Sequence, residues 1–343
     1  MNRFKSAGQI FLTVILICGW ATMVQAGIIL KLGHGTPTTS TLHQGAEKFK
    51  TEVEALTKGD ITVRIFHSGQ IGHDRQLIES MQLGEVDMAI PSSTNVSPFV
   101  KEMFITDYFF LFRNAAEAYA ILDGPAGQAL NEAVAAKSLV GLGFMENGFR
   151  HISNNQRPIK IPAHMNGVKI RVNENPIQVT AWKGLGASPT PMNWGEIFTS
   201  LQQGTLDGQE CSLSLFYDTH FYEAQTYLTL TGHIYSPFSV LMSQDTYEQL
   251  DNAQKQAVKQ AAKTAIAFQR KLNQTAEKKA LEKVQQSGIQ VTRLTVEQMA
   301  PFIAAAAPSI PLVKEKCGER IYNLFMKELE AFRCTNESIV KFL

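Results

Sequence analysis

The sequence predicts an α/β protein of two related lobes facing one cleft, and three observations predict it. Strand and helix patterns alternate along the chain. One helix–strand unit occurs twice. A long polar, alanine-rich helical segment follows, longer than one small lobe is wide.

Taken in order, Ile28 to Gly33 reads as a strand that ends in a Gly/Thr/Pro/Ser loop, 34–40. Leu42, Ala46, Phe49, Val53 and Leu56 then recur at helical spacing. Lys58-Gly59-Asp60 is a turn, and Ile61, Val63 and Ile65 alternate as a strand. Asp74 can cap a helix carrying Leu77, Ile78 and Met81, which Gly84 stops. Val86 to Ile90 is the next strand, closed by Pro91. The same order returns downstream. Val168 to Val172 is a strand, Gln178 to Leu185 a helix, and Ala187 to Pro191 a short strand. A helix capped by Asn193 then runs to Gly204. Such alternation indicates βαβ units and largely parallel sheets.

The repeat is direct. Leu77–Ser93 aligns with Ile197–Leu213 without a gap, setting Ser80 on Ser200, Gln82 on Gln202, Gly84 on Gly204, Asp87 on Asp207 and Ser92 on Ser212. Ligands of open α/β sheets sit beyond the carboxyl ends of the strands. The two strand exits, around Ser92 and around Cys211, are therefore expected to face one cleft from opposite sides. Residues 245–287 contain neither Pro nor Gly, and Asp245 with Glu248 reads as a capping pair. From Asn252 to Ser287 one helix would extend about 54 Å at 1.5 Å per residue, enough to cross both lobes. Alanines at 261, 262, 265 and 267, with no leucine heptad, weigh against a coiled-coil dimerisation arm. Thr295 with Gln298 caps a further helix, and a last one runs from Glu319 to Phe332.

The 343 residues, 44% of them hydrophobic, suffice for two domains each with its own core. Lys+Arg at 32 against Asp+Glu at 31 leaves a net charge of +1, without the basic surface that nucleic-acid binding needs. Arg3 and Lys5, the apolar run Ile10–Ile17 and the small-x-small Val24-Gln25-Ala26 have the layout of a cleavable signal peptide over residues 1–26. Cleavage there turns the net charge to −1, and no second apolar stretch is expected to span a membrane. Export permits disulfides. Cys317 and Cys334 flank the last helical pattern and are candidates for one, with two free thiols as the alternative. Cys211 is left over.

No Gly-x-Gly-x-x-Gly follows a strand, and no phosphate-loop Gly-Lys-Ser/Thr occurs. The eight histidines form no His-x-x-x-His pair, so neither a metal nor a cofactor is expected. Cys211 with His220 lacks any local signature of a cysteine nucleophile.

Three stretches carry a family resemblance: HSGQIGHDRQLIESMQLGEVDMAI, GVKIRVNENPIQVTAWKGLGASPTPMNWGEIFTSLQQGTLDGQE (Gly167–Glu210) and FYEAQTYLTLTGHIYSP (Phe221–Pro237). Across the whole mature chain the sequence resembles the solute-binding proteins of tripartite ATP-independent periplasmic (TRAP) transporters, the C4-dicarboxylate-binding-like family. The resemblance implies a two-lobe periplasmic solute-binding fold of type II-like character. Each lobe would be a mixed sheet flanked by helices, and the long helix would span both. Crossovers are expected near Asn147–Phe149 and Tyr235–Ser236. Lobe I would hold 27–148 and 237–275. Lobe II would hold 149–236 and 276–343, with the C-terminal helices.

The same resemblance implies that Arg171, in Gly-x-Lys-x-Arg-Val, clamps a carboxylate, and that Arg150 after Gly148-Phe149 is a second cleft arginine. A guanidinium is a rigid fork that matches two carboxylate oxygens and keeps its charge. Trp194 takes the family's aromatic position, with a core tryptophan as the alternative. Cys211 replaces the asparagine of the family's Gly-Gln-Glu-Asn. A thiol is a weak donor, so that corner is expected to be less polar and to favour a smaller or more apolar acid. Ser92, with Ser93 and Thr94, supplies a neutral wall. Glu174 is the one acid expected near the pocket. His34, Phe216 and Tyr217 are weaker lining candidates. The expected function is an extracytoplasmic receptor, not an enzyme. It would capture a small organic acid and, as a monomer in the periplasm, deliver it to TRAP permease subunits. The alternatives are a sensory binding protein feeding a receptor kinase and a secreted enzyme using Cys211.

Overall fold

The computed structural model describes residues 27–336. The expected signal peptide, 1–26, lies outside the described residues. The strands are β1 (Ile28–Gly33), β2 (Ile61–Phe66), β3 (Met88–Ala89), β4 (Leu139–Phe149), β5 (His151–Asn154), β6 (Lys169–Val172), β7 (Ser188–Pro191), β8 (Gly208–Cys211), β9 (Tyr227–Leu230), β10 (Tyr235–Ser243) and β11 (Gln290–Arg293). They form a five-stranded sheet, β2-β1-β3-β10-β4, and a six-stranded sheet, β11-β9-β5-β8-β6-β7.

Strands joined through a helix on the same sheet run parallel: β1 with β2 and β3, β6 with β7 and β8. The strands at the crossings between lobes arrive from the other side. So β10 pairs antiparallel with β3 and β4, and β5 with β8 and β9. Both sheets are therefore mixed. β4 hands over to β5 through Arg150 alone, and β9 returns to β10 through residues 231–234. The two crossings are tied together by the Arg150 N–H donating to the Ile234 carbonyl at 2.8 Å.

The repeated unit is structural as well as sequential. Asp87 enters β3 and its carboxylate accepts the Lys31 N–H of β1 at 2.8 Å. Asp207 precedes β8 and accepts the Lys169 N–H of β6 at the same distance. Each aspartate pins its strand to the neighbour through a backbone donor.

Asn252–Gln286 forms one 35-residue helix. Its capping box is Asp251 with Gln254. The pair expected at Asp245 and Glu248 instead lies inside the preceding helix, Gln244–Gln249. Gln269 holds both the N–H (2.8 Å) and the carbonyl (2.7 Å) of Glu146 in the first lobe. Two turns on, Glu277 accepts the backbone N–H groups of Leu213 and Ser214 in the second, at 3.2 and 2.9 Å. The helix thus fastens both lobes at their junction.

The C-terminal helices do not join the second lobe as expected. Val296–Ala306 stays there, burying Phe302 and Ala306 with Trp182. The turn Ala307–Ser309 then redirects the chain. Ile310–Cys317 and Glu319–Thr335 bury Val313, Cys317, Ile321, Phe325 and Leu329 among Leu77, Ile121, Leu122 and Leu130 of the first lobe. The spacing of Ile321, Phe325 and Leu329 makes one apolar stripe, and Arg333 anchors the end on the buried Glu117. The stretch Val296–Cys317 is long and apolar enough to span a bilayer, contrary to expectation. Here it is folded across the two lobes.

Cys211, Cys317 and Cys334 are free thiols. Cys317 and Cys334 sit at opposite ends of the last helix, about 25 Å apart at 1.5 Å per residue. A disulfide needs Cα atoms within about 7 Å, so the bridge considered above does not form. Adding a reductant should leave the melting temperature unchanged. A reductant-dependent drop in a melting scan would contradict this.

Candidate functional site

The cleft between the sheets holds a cavity lined by residues of both lobes. From the first come Gly35, Thr36, Asp74, Ser92, Asn95 and Asn147. From the second come Asn173, Trp194 and Leu215, with Arg150 at the crossing. An adjoining hollow leads outward past Arg171, Glu174, His73 and Arg75, sharing Asp74, Asn95 and Trp194 with the cavity.

Arg171 lies on β6 between Ile170 and Val172, all three buried. Its Nε and Nη2 donate to the Met192 carbonyl at 2.9 and 2.6 Å. Nη1 is buried with no partner. Burial lowers its pKa to about 10, opposed by the Glu210 carboxylate, so the charge persists at neutral pH. The Trp194 ring lies 5.9 Å from the guanidinium carbon. A buried cation with an uncommitted donor in a polar hollow is arranged for an anion.

Arg150 is committed differently. Nε donates to Glu210 Oε2 at 2.5 Å, and Nη2 to Oε1 at 2.8 Å and to the Glu210 carbonyl. His233 Nε2 lies 3.1 Å from the same carboxylate. Burial opposes the Glu210 charge, but Arg150 and His233 outweigh it and hold its pKa at about 2. Arg150 lines the cavity as a neutralised strut. Arg171 carries the unbalanced positive charge.

Asp74, expected only as a helix cap, lines both the cavity and the adjoining hollow. Asp74 opens the helix Asp74–Gln82, whose cap is His73. Its Oδ2 accepts the Ser92 N–H at 3.0 Å and the Asn95 amide at 2.8 Å. Burial raises its pKa above the usual carboxylate value, and those two bonds offset only part of the rise. The neutral wall expected around Ser92 is therefore acidic. Glu174, the acid expected there, sits on the rim of the outer hollow, 43% exposed and 3.7 Å from Arg75 of the opposite lobe.

Four other candidates lie off the surface of the cavity. Cys211 is packed in the core, and burial raises its pKa to about 12. No thiolate forms there at neutral pH, and the cavity wall mixes the amides of Asn147 and Asn173 with the apolar Ile90, Leu215 and Phe238. His34 sits behind Thr36, accepting its N–H at Nδ1 and meeting His43 at 3.1 Å. Burial, then His43 and His67, push its pKa down to about 3, so it is a neutral scaffold. Tyr217 stacks on Tyr222 beneath Lys283, and Phe216 is core. Ser92 lines the cavity, and its hydroxyl meets Ser236 at 3.3 Å. Ser236 also accepts from Asn147, which in turn accepts from Ser212. The two repeated serines are thereby linked across the junction. Among the described residues no group of three or more His, Cys, Asp or Glu is arranged to hold a metal ion.

Residues 32–316 match the family described as bacterial extracellular solute-binding protein, family 7. A solute-binding protein of Verminephrobacter eiseniae is 40% identical over 79% of this chain and 81% of its own. The sugar acid binding protein of Advenella mimigardefordensis, solved with galactonate, superposes with a TM-score of 0.87 at 33% identity, covering 89% of this chain and 98% of that one. A TRAP periplasmic solute-binding protein of Polaromonas, bound to D-erythronate, gives 0.84 at 37% identity, covering 87% and 98%. These relatives are binding proteins of transporters, not enzymes. The chain belongs to family 7 of the bacterial extracellular solute-binding proteins, the DctP family.

Proposed function

We propose that this protein is the periplasmic receptor of a TRAP uptake system, released by cleavage after Ala26. It captures a small hydroxylated organic acid, of the sugar-acid kind, between its lobes. The observation that carries this reading is the pairing, across the hollow that adjoins the cavity, of a buried arginine with an unpartnered nitrogen and an aspartate of the opposite lobe. Arg171 takes a ligand carboxylate with Nη1. Asp74 has committed Oδ2 to Ser92 and Asn95 and takes a ligand hydroxyl with Oδ1. The amides of Asn95, Asn147 and Asn173 suit further hydroxyls, and Trp194 covers the carbon skeleton. The galactonate and D-erythronate found in the two structural relatives have this chemistry. The ligand stabilises the closed form by its greater affinity for it, and closure presents both lobes to the permease. A sensory role would use the same cavity. A cysteine enzyme finds no support in a core thiol.

A thermal-shift panel of galactonate, D-erythronate, glucuronate and succinate tests the reading, since a ligand of the native state raises the melting temperature. Hydroxylated acids should shift the wild type more than succinate does. Asp74→Asn should lose about 1–3 kcal/mol of affinity for them and little for succinate. A panel led by succinate, or an Asp74→Asn variant with unchanged preference, would overturn it.

A further inference from the structure

We propose that His73 of the first lobe and Gly195 of the second are a clasp: the imidazole seats as a knob in a notch that exists because residue 195 has no side chain, and this seating shuts the mouth of the cavity. The inference rests on the closing receptor described above. It adds two residues that need not touch the ligand.

His73 precedes the helix Asp74–Gln82, and its N–H donates to Gln76 Oε1 at 3.0 Å, which fixes the residue on the helix. Its ring is held between two glycines. A Cβ on Gly69 would stand 2.6 Å from the imidazole Cε1, and a Cβ on Gly195 would stand 2.6 Å from Nε2. Such separations are far inside van der Waals contact. A side chain at either glycine would meet the same Cε1–Nε2 edge of the ring. Gly195 lies in the exposed turn Trp194–Glu196, and its backbone is not in the left-handed region, so a side chain there strains nothing within the second lobe. Its bareness is explained by the partner across the cleft.

The position fits the role. Asp74 follows His73 and Trp194 precedes Gly195, and both line the cavity. The Arg75–Glu174 pair bridges the lobes at the same rim, and His73 lines the outer hollow beside it. The contact thus lies at the exposed rim marked by Arg75 and Glu174, away from the junction where the long helix is fastened.

The test compares wild type, Gly195→Val and the double variant His73→Ala/Gly195→Val. Binding of the panel's strongest acid is followed by tryptophan fluorescence in stopped flow. Gly195→Val should weaken binding about tenfold or more, mainly through faster dissociation, with the melting temperature of the ligand-free protein unchanged. The double variant should recover most of the loss, because removing the ring makes room for the new side chain. Wild-type binding by Gly195→Val, or no recovery in the double variant, overturns the clasp.

If no acid on the panel binds, the ligand reading fails by itself and lobe separation still decides the clasp. Spin labels on the exposed native Cys334 of the first lobe and on a Thr205→Cys substitution in the second report that separation in ligand-free protein. A short-distance population present in wild type and the double variant but missing from Gly195→Val supports the clasp. Identical distributions in all three overturn it.

Discussion

Arg171→Ala should bind no acid that the wild type binds at comparable concentration. Truncating one partner of a buried, hydrogen-bonded charge pair costs about 2–5 kcal/mol, a loss of roughly 30-fold to beyond a thousandfold in Kd. The Met192 carbonyl holds two nitrogens of the fork and leaves the third buried without a partner. Arg171→Lys should therefore recover little, since an ammonium lacks the fork that reaches the carbonyl and the ligand together. Calorimetry with the panel's strongest acid reads both variants. Unimpaired binding by Arg171→Ala would remove the carboxylate clamp from the mechanism.

The second large effect is on stability. Glu210→Ala should destabilise the protein by about 3–5 kcal/mol, because it leaves Arg150 charged and unpaired in the interior. The expected fall in melting temperature is on the order of 10 °C. The pH dependence has a definite sign. Glu210 has its pKa lowered to about 2 in the folded chain, so its stabilisation is fully present above the unfolded carboxylate value. It is lost as pH falls from about 4.5 toward 2. Glu210→Ala should lose that acid limb of the melting profile. Melting at wild-type temperature would show that Arg150 finds another counter-ion.

The site's positive side was legible in the sequence because Arg171 sits in a contiguous motif of the family resemblance. Its negative side was not. Asp74 stands where an aspartate is an ordinary helix-start residue, and nothing local separates a cap from a ligand group. The repeat held the missing signal. Carried three residues upstream, the alignment of Leu77–Ser93 with Ile197–Leu213 sets Asp74 against Trp194, and both line the cavity. Glu210 and Cys211 show a different limit. They alternate on one short strand, and the sequence gives no sign that the glutamate neutralises Arg150 while the thiol turns into the core. Alternation and glycine stops revealed β1 to β3 and β6 to β7 with their helices, but gave no assignment for β4, β5, β9, β10 or β11, the strands that cross between the lobes or join from a distance. The return of the last two helices to the first lobe escaped notice because their apolar stripe fits any open face.

The placement of β10 has a consequence for how the chain comes into being. It lies between β3 and β4, so residues 88–149 have no complete sheet to join until Ser243 has been made. Pairing over such separations is slow, because a long loop must close before any contact rewards it. A chain emerging from the ribosome therefore holds its first lobe open for most of its synthesis.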